Sequence, residues 1–214
     1  MTDAATRLAA VRDRIARAAK MARRDPAEVT LIAVSKRRSI EEIEALIAAG
    51  QRHFGESRVQ EAAEKWGDLR ARYPGVRLHM IGRLQSNKAA EATALFDSIH
   101  SLDRPSLLDA LAALPSPPPC FVQANIGDEL QKGGVAPGEL PAFLDAVRAS
   151  SIDLAGLMAI PPQGVEAAPF FALLAELARR HGVTGLSMGM SADYPAAVML
   201  GATHVRVGSA LFEG

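Results

Sequence analysis

Eight short apolar runs, separated by seven stretches with helical spacing, limit what this chain can fold into. The runs cover Val29 to Lys36, Arg52 to Glu56, Leu78 to Gly82, Ser98 to Leu102, Cys120 to Ile126, Leu154 to Ile160, Gly185 to Met190 and His204 to Leu211. Short continuous apolar runs bounded by turn residues read as strands covered on both faces. Helical patterns fill the gaps at 40–49, 59–69, 87–95, 105–114, 137–149, 165–180 and 192–200. Ser39 and Ser57 stand where caps belong, Ser86 precedes the stretch at 87–95, Pro105 opens one helix and Gly50 closes another. Strict strand–helix alternation calls for a parallel sheet. Eight units in 214 residues fit an α/β fold of the (β/α)8 TIM-type barrel class, near its lower size limit. An open doubly wound sheet is the competing arrangement.

Leu8, Val11, Ile15, Ala18 and Ala22 share one helical face, so residues 1–24 should form an extra helix packed on the barrel. No linker or repeat interrupts the chain, and Pro115 to Pro119 reads as a stiff loop. One domain over 1–214 is the expectation.

Lys and Arg together equal Asp and Glu, 24 against 24. This balance argues against nucleic acid or an anionic membrane as the main partner. A single cysteine, Cys120, excludes an intramolecular disulfide and fits a reducing compartment; following Pro117 to Pro119 at the start of an apolar run, it reads as a buried structural thiol. No segment has the length or apolarity of a signal peptide or membrane span. A cytoplasmic protein is expected.

In a barrel of this class the site forms at the C-terminal ends of the strands, and phosphate often sits after strands seven and eight. Lys36 closes the first run. A strand-end lysine can snorkel to solvent; if buried, desolvation favours its neutral, nucleophilic amine, the form that makes Schiff bases with carbonyl compounds. Strand seven ends in Leu186 to Ser191 and strand eight in Val205 to Ala210. Both ends supply glycine, hydroxyls and backbone N–H groups, which suit an anion as well as ordinary turns.

Arg206 lies between Val205 and Val207 and shares its parity with Gly208. If it faces the barrel interior it needs a partner, either a structural ion pair or a ligand acceptor. A guanidinium only donates, so a pyridine nitrogen facing it stays unprotonated and withdraws electrons weakly. Ser57, Met80, Asn125, Met158 and Gly189 sit at other strand ends and are pocket candidates, as are Asp128, Glu129 and Lys132 in the loop after strand five. The five histidines are scattered without metal-ligand spacing. Paired-cysteine, Walker, Rossmann and G-x-S-x-G motifs are absent, so no metal site is expected.

The ordered motifs Ile32-Ala33-Val34-Ser35-Lys36, His53-Phe54-Gly55-Glu56, His79-Met80-Ile81-Gly82 with Leu84-Gln85-Ser86-Asn87-Lys88, Asn125-Ile126-Gly127 with Lys132-Gly133-Gly134-Val135, Gly156 to Pro161, Leu186 to Ser191 with Asp193, and Val205 to Phe212 resemble the pyridoxal phosphate (PLP) homeostasis protein family. That family is similar to the barrel domain of alanine racemase and of bacterial-type ornithine decarboxylase. The resemblance covers nearly the whole chain. It implies PLP as cofactor, held as a Schiff base on Lys36, with Arg206 facing the pyridine nitrogen and Ser187, Gly208 and Ser209 holding the phosphate. It implies a protein that buffers PLP or delivers it to apo-PLP enzymes and affects amino-acid balance, rather than a robust enzyme. Two departures stand out: Ser57 occupies a position where the family usually has Asn, and the chain stops soon after Phe212.

A PLP-dependent racemase is the alternative function. Racemisation needs a second acid/base on the opposite face of the cofactor. In alanine racemase this is a tyrosine from a second domain, for which this sequence has no counterpart; its tyrosines are Tyr73, predicted on the wrong side of the barrel, and Tyr194, which stays open. Without that domain much of the racemase dimer interface is gone, so a monomer is expected. A class I aldolase-like barrel, in which Lys36 attacks a substrate carbonyl directly, is a third reading.

Overall fold

The computed structural model describes residues 3–127 and 133–213. Its centre is a closed barrel of eight strands: β1 (Thr30–Val34), β2 (His53–Glu56), β3 (Arg77–Met80), β4 (Ser98–Leu102), β5 (Cys120–Gln123), β6 (Leu154–Met158), β7 (Leu186–Ser187) and β8 (His204–Val207). Every neighbouring pair is parallel, and β8 closes on β1 with Ile32 opposite Arg206. The helices are α1 (Ala4–Met21), α2 (Ile40–Ala48), α3 (Val59–Arg72), α4 (Ala89–Leu95), α5 (Pro105–Ala112), α6 (Leu140–Arg148), α7 (Ala168–Arg180), α8 (Tyr194–Met199) and α9 (Ser209–Phe212). The open-sheet alternative is excluded by the β1–β8 pairing.

The main core lies between barrel and helices. Ala33, Phe54, Leu78, Ile99, Val122, Leu157 and Val205 face outward against Leu46, Trp66, Ala92, Leu111, Leu144, Leu174 and Val198. Ile32, Phe121 and Met158 are equally buried but stand apart from this outer core, on the inward face. Successive side chains on a strand point to opposite faces, so one apolar run can serve both layers. As expected, α1 buries Leu8, Val11, Ile15 and Ala18 and packs on α2, α8 and α9. Ser39 caps α2 in a reciprocal box with Glu42.

Three local expectations are corrected. Strand seven has two residues, because Gly189 takes φ +93° and turns the chain out of the sheet. Strand eight stops at Val207, and the chain re-forms as α9 instead of continuing to Leu211. Ser57 does not cap α3; Arg58 takes the cap position without a side-chain hydrogen bond.

Strands β6 and β7 approach closely where both carry glycine. A Cβ on Gly156 would lie 2.3 Å from the Gly185 carbonyl oxygen and 2.6 Å from a ring carbon of Phe121. A Cβ on Gly185 would lie 2.0 Å from the Ala155 oxygen.

Candidate functional site

Arg206 is 4% exposed and lies inside the barrel, as its parity predicts. Nη1 donates to Ser187 Oγ at 2.7 Å and Nη2 to the Ala159 carbonyl at 2.9 Å, while its backbone N–H donates to Gly189 O at 2.9 Å. Its side-chain partners are thus neutral oxygens rather than a carboxylate. Burial lowers its pKa to about 10, against a raising influence from Asp193.

Below Arg206 the barrel is filled with imidazoles. His53, His79, His100 and His204 form one chain of ring contacts, and Phe121 joins it, stacking on His100 at 4.3 Å and meeting His204 edge-on at 5.0 Å. Ser187 joins this layer: it is fully buried, bonded to His100 Nδ1 at 2.8 Å and to Arg206. It therefore lies in the buried layer, held by His100 and Arg206. Burial holds His79 and His100 well below the usual histidine range, and with the nearby His53 and Arg206 charges it brings His204 to about 4. The sequence treats these histidines as scattered. Strand parity carries the missing signal, since His204 shares the face of Arg206 and His53 that of Gly55, which looks onto Ile32.

The rim above Arg206 is made by the ends of β7 and β8. Gly208 donates its backbone N–H to Ser191 Oγ at 3.1 Å. Ser209 is exposed beside it, and a Cβ at Gly208 would make ordinary contact with Val34, Cβ at 3.5 Å, without a clash. Ser191, to which the motifs assign no role, belongs to this rim through its contact with Gly208. Gly189 is buried and needs its left-handed φ, and a Cβ there would strike Ala197 at 2.5 Å.

Lys36 lies two residues past β1, in a turn completed by Arg37 at φ +59°, and is exposed. The expected burial is not found: β1 ends at Val34, before the lysine. What is buried is the brace beneath it. Glu56, 0% exposed, accepts at Oε1 from Ser35 Oγ at 2.8 Å, Trp66 Nε1 at 3.0 Å and Lys65 Nζ at 2.8 Å. Lys65 also donates to the Ser35 carbonyl at 2.8 Å. The residue preceding Lys36 is thus tied to α3 through both backbone and side chain.

The remaining candidates divide. Met158 is fully buried on the inward face, opposite Ser187. Asn125, half-buried beyond β5, lines a cavity of about 210 Å³ with Ile81, Arg83 and Gly133. Met80 is 1% exposed and belongs to the outer core, on the face of β3 opposite His79; with Ser57 it borders a groove outside the barrel. Asp128, Glu129 and Lys132 lie outside the described residues. Cys120 is buried, its thiol pushed up to about 12 by desolvation. Tyr73 donates to Glu44 at 3.1 Å. Tyr194 is fully buried with Arg14 of α1 5.3 Å from its ring centre, so it packs under α1 rather than over the mouth. Among the described residues no group of three or more His, Cys, Asp or Glu could hold a metal ion. No helix there is long and apolar enough to cross a membrane.

A closed parallel barrel with a polar interior and a glycine- and hydroxyl-lined C-terminal rim defines a small-molecule-binding barrel. Residues 6–214 match the family model described as alanine racemase, N-terminal domain, and the chain belongs to that family. Within it, the chain is 42% identical to a pyridoxal phosphate homeostasis protein of Pseudomonas aeruginosa, over 99% of this chain and 96% of the relative. It is 39% identical to the protein of the same name in Escherichia coli K12, over 99% and 97%. Its fold is similar to that of PipY from Synechococcus elongatus, solved without PLP (TM-score 0.84, 39% identity, covering 97% of this chain and 99% of that one) and with PLP bound (TM-score 0.82, 39% identity, 98% and 99%). Alanine racemase from Corynebacterium glutamicum shares the fold, with TM-score 0.67 at 19% identity.

Proposed function

We propose that this chain binds PLP at the C-terminal mouth of its barrel, through a Schiff base to Lys36, and serves intracellular PLP homeostasis rather than a catalytic cycle. One observation carries the reading: neighbouring strands β1 and β8 bring an exposed lysine and a buried, donor-only arginine to the same mouth. The rim at Gly208, with Ser191 and Ser209, fits a phosphate. The names of the relatives and the PLP-bound PipY structure support the same cofactor.

When bound, PLP supplies an electron-withdrawing ring that stabilises a carbanion on an attached amino acid. This chain's residues restrain that chemistry. Arg206 has no proton acceptor to offer, so a ring nitrogen facing it keeps its lone pair and gains no proton. Gly208, Ser191 and Ser209 hold the anion. Lys36 supplies the amine, and its exposed turn leaves it open to exchange. A racemase also needs an acid/base on the opposite ring face, and Tyr194 is buried under α1. We assign no such residue. Delivery of PLP to apo-enzymes in the cytoplasm, by a monomer, completes the reading.

The test is reconstitution with PLP, borohydride reduction and peptide mass mapping. The expected result is a yellow protein with a pyridoxyl group on Lys36. A protein that stays colourless and unmodified would refute PLP binding. Sustained amino-acid stereoinversion at enzymatic rates would refute the carrier role.

A further inference from the structure

Residues 57–60, which follow β2, and the motif Leu84 to Lys88, which follows β3, have no part in the mouth described above. They meet outside the barrel wall and, with Arg104 from the segment after β4, enclose a groove of about 560 Å³. All three segments leave the C-terminal ends of their strands. The groove therefore lies at the same end of the barrel as the candidate site. Arg83 borders both the groove and the cavity that holds Asn125.

Charge sets this groove apart. Arg58, Arg83, Lys88 and Arg104 line it, and no Asp or Glu among the described residues does. Two carboxylates reach these cations from outside the lining. Asp103 meets Arg104, with Arg83 3.9 Å away, and Glu91 meets Lys88 at 2.8 Å. Four cations against two carboxylates leave two positive charges unmatched. Arg58 forms no ion pair among the described residues; Glu61, whose charge it feels, is turned to the Arg37 N–H and to Lys65. The chain as a whole has no net charge, so the excess is local. Like charges sharing one groove repel, and an anion between them removes that cost.

Two of the cations are fixed in place. Arg104 Nη2 donates to the Leu84 carbonyl at 2.7 Å and to Ser86 Oγ at 3.2 Å, which ties the start of α5 to the segment after β3. The side chains of Arg104 and Lys88 are each 26% exposed, so neither hangs free in solvent. Helix α3 begins at the same groove with no side-chain hydrogen bond at its cap, and its first N–H groups add to the positive field. The volume falls within the range of small-molecule sites, roughly 300–1,000 Å³.

We propose that this groove is a second anion site, separate from the barrel mouth, and that it takes a small phosphomonoester. A phosphomonoester dianion matches the two unmatched charges. Guanidinium groups hold phosphate oxygens through paired N–H donors, and Lys88 adds a point charge. Gln60 and Gln85 offer neutral donors and acceptors to the rest of the molecule. A nucleic acid would need a basic surface much longer than this groove, which the chain's overall charge balance does not supply. The site does not depend on what fills the mouth.

The test is a titration of 15N-labelled full-length protein at pH 8 with inorganic phosphate, with glycerol phosphate, and with chloride at matched ionic strength. Both phosphates should give saturable amide shifts at residues 58–61 and 86–88, and chloride should not. Arg58→Ala and Lys88→Ala each remove one cation without touching the core, and each should weaken phosphate binding there about tenfold. Shifts at Gly208 and Ser209, which report the mouth, should be unchanged in both variants. Phosphate shifts confined to Gly208 and Ser209, equal shifts with chloride, or undiminished binding in the two variants would each overturn the proposal. Tighter binding of single-stranded RNA than of glycerol phosphate at the same residues would also overturn it, in favour of a nucleic acid. A protein that binds phosphate in the groove but never PLP would refute the proposed function and leave the second site standing.

Discussion

Ser187 and Arg206 meet on the inward face of the barrel, hydroxyl to guanidinium at 2.7 Å, with both side chains shut off from solvent. The contact turns a strand-end serine into a support for the buried cation. Ser187→Ala removes one acceptor from Arg206 and one hydrogen-bond partner from His100. Leaving a buried charged donor short of a partner costs about 1–3 kcal/mol. At about 2–4 °C per kcal/mol for a chain of this length, the melting temperature should fall by several degrees. Thermal unfolding checks this, and an unchanged midpoint would show that the contact contributes nothing.

The imidazole layer predicts a specific pH dependence. His79, His100 and His204 have folded pKa values held below 6.5, in the last case at about 4. They stay neutral in the fold while the unfolded chain takes up protons as pH drops past 6.5. Stability from this source is therefore complete above that value and lost as pH falls toward about 4. The slope is about 1.4 kcal/mol per pH unit for each proton bound only by the unfolded state. Urea titrations at pH 7.5, 6.5, 5.5 and 4.5 measure it, and His204→Asn should reduce the slope by close to one proton. A flat profile from pH 7 to 5 would contradict the burial of neutral imidazoles.

Glu56 makes a second buried prediction. Its Oε1 gathers Ser35, Trp66 and Lys65, and Oε2 has no partner among the described residues. Glu56→Ala leaves Ser35 and Trp66 without their acceptor, while Lys65 keeps Glu61 at 3.0 Å and the Ser35 carbonyl, so the cost should be about 1–3 kcal/mol. The brace also fixes Ser35, so PLP occupancy should fall along with stability. Glu56→Gln, which keeps an acceptor for Ser35 and Trp66, should recover part of both. If Glu56→Ala binds PLP as well as the parent, Lys36 does not depend on the brace.

Gly156→Ala tests barrel closure. The added methyl would sit 2.3 Å from the Gly185 oxygen and 2.6 Å from Phe121. Backbone on one side and a packed ring on the other leave no soft neighbour to move. The cost should exceed about 3 kcal/mol, at the top of the overpacking range. Equilibrium denaturation checks it, and a change under about 1 kcal/mol would mean that β6 and β7 can separate.

The sequence made the barrel legible because its eight strands are nearly all apolar, and a short apolar run has few other uses. Strand ends were less legible. Val207 and Gly208 look continuous with the run, yet the backbone breaks at Gly208 and α9 begins. Lys36 was expected to end the first strand, but β1 stops at Val34, which pairing with β2 and β8 decides. The imidazole layer was hidden for a different reason. His79, His100 and His204 come from strands far apart in the chain, and only closure brings their inward faces together. The depth of Ser187 was hidden with them, since it follows from His100 and Arg206 and not from the turn residues after it.

Lys36 separates binding from folding. The side chain is exposed, sits in a turn outside β1, and belongs to neither the outer core nor the inward layer. Lys36→Ala should therefore change stability by no more than about 0.5 kcal/mol. The brace of Ser35, Glu56 and Lys65 stays intact in this variant, so the rim at Gly208 and Arg206 keep their places. Non-covalent PLP binding should survive in weakened form, while borohydride-fixable attachment disappears. Melting curves and reduction with mass mapping, run on the same sample, read the two effects separately. A large loss of stability would mean that Lys36 supports the fold, and persistent fixation would mean that another amine carries the cofactor.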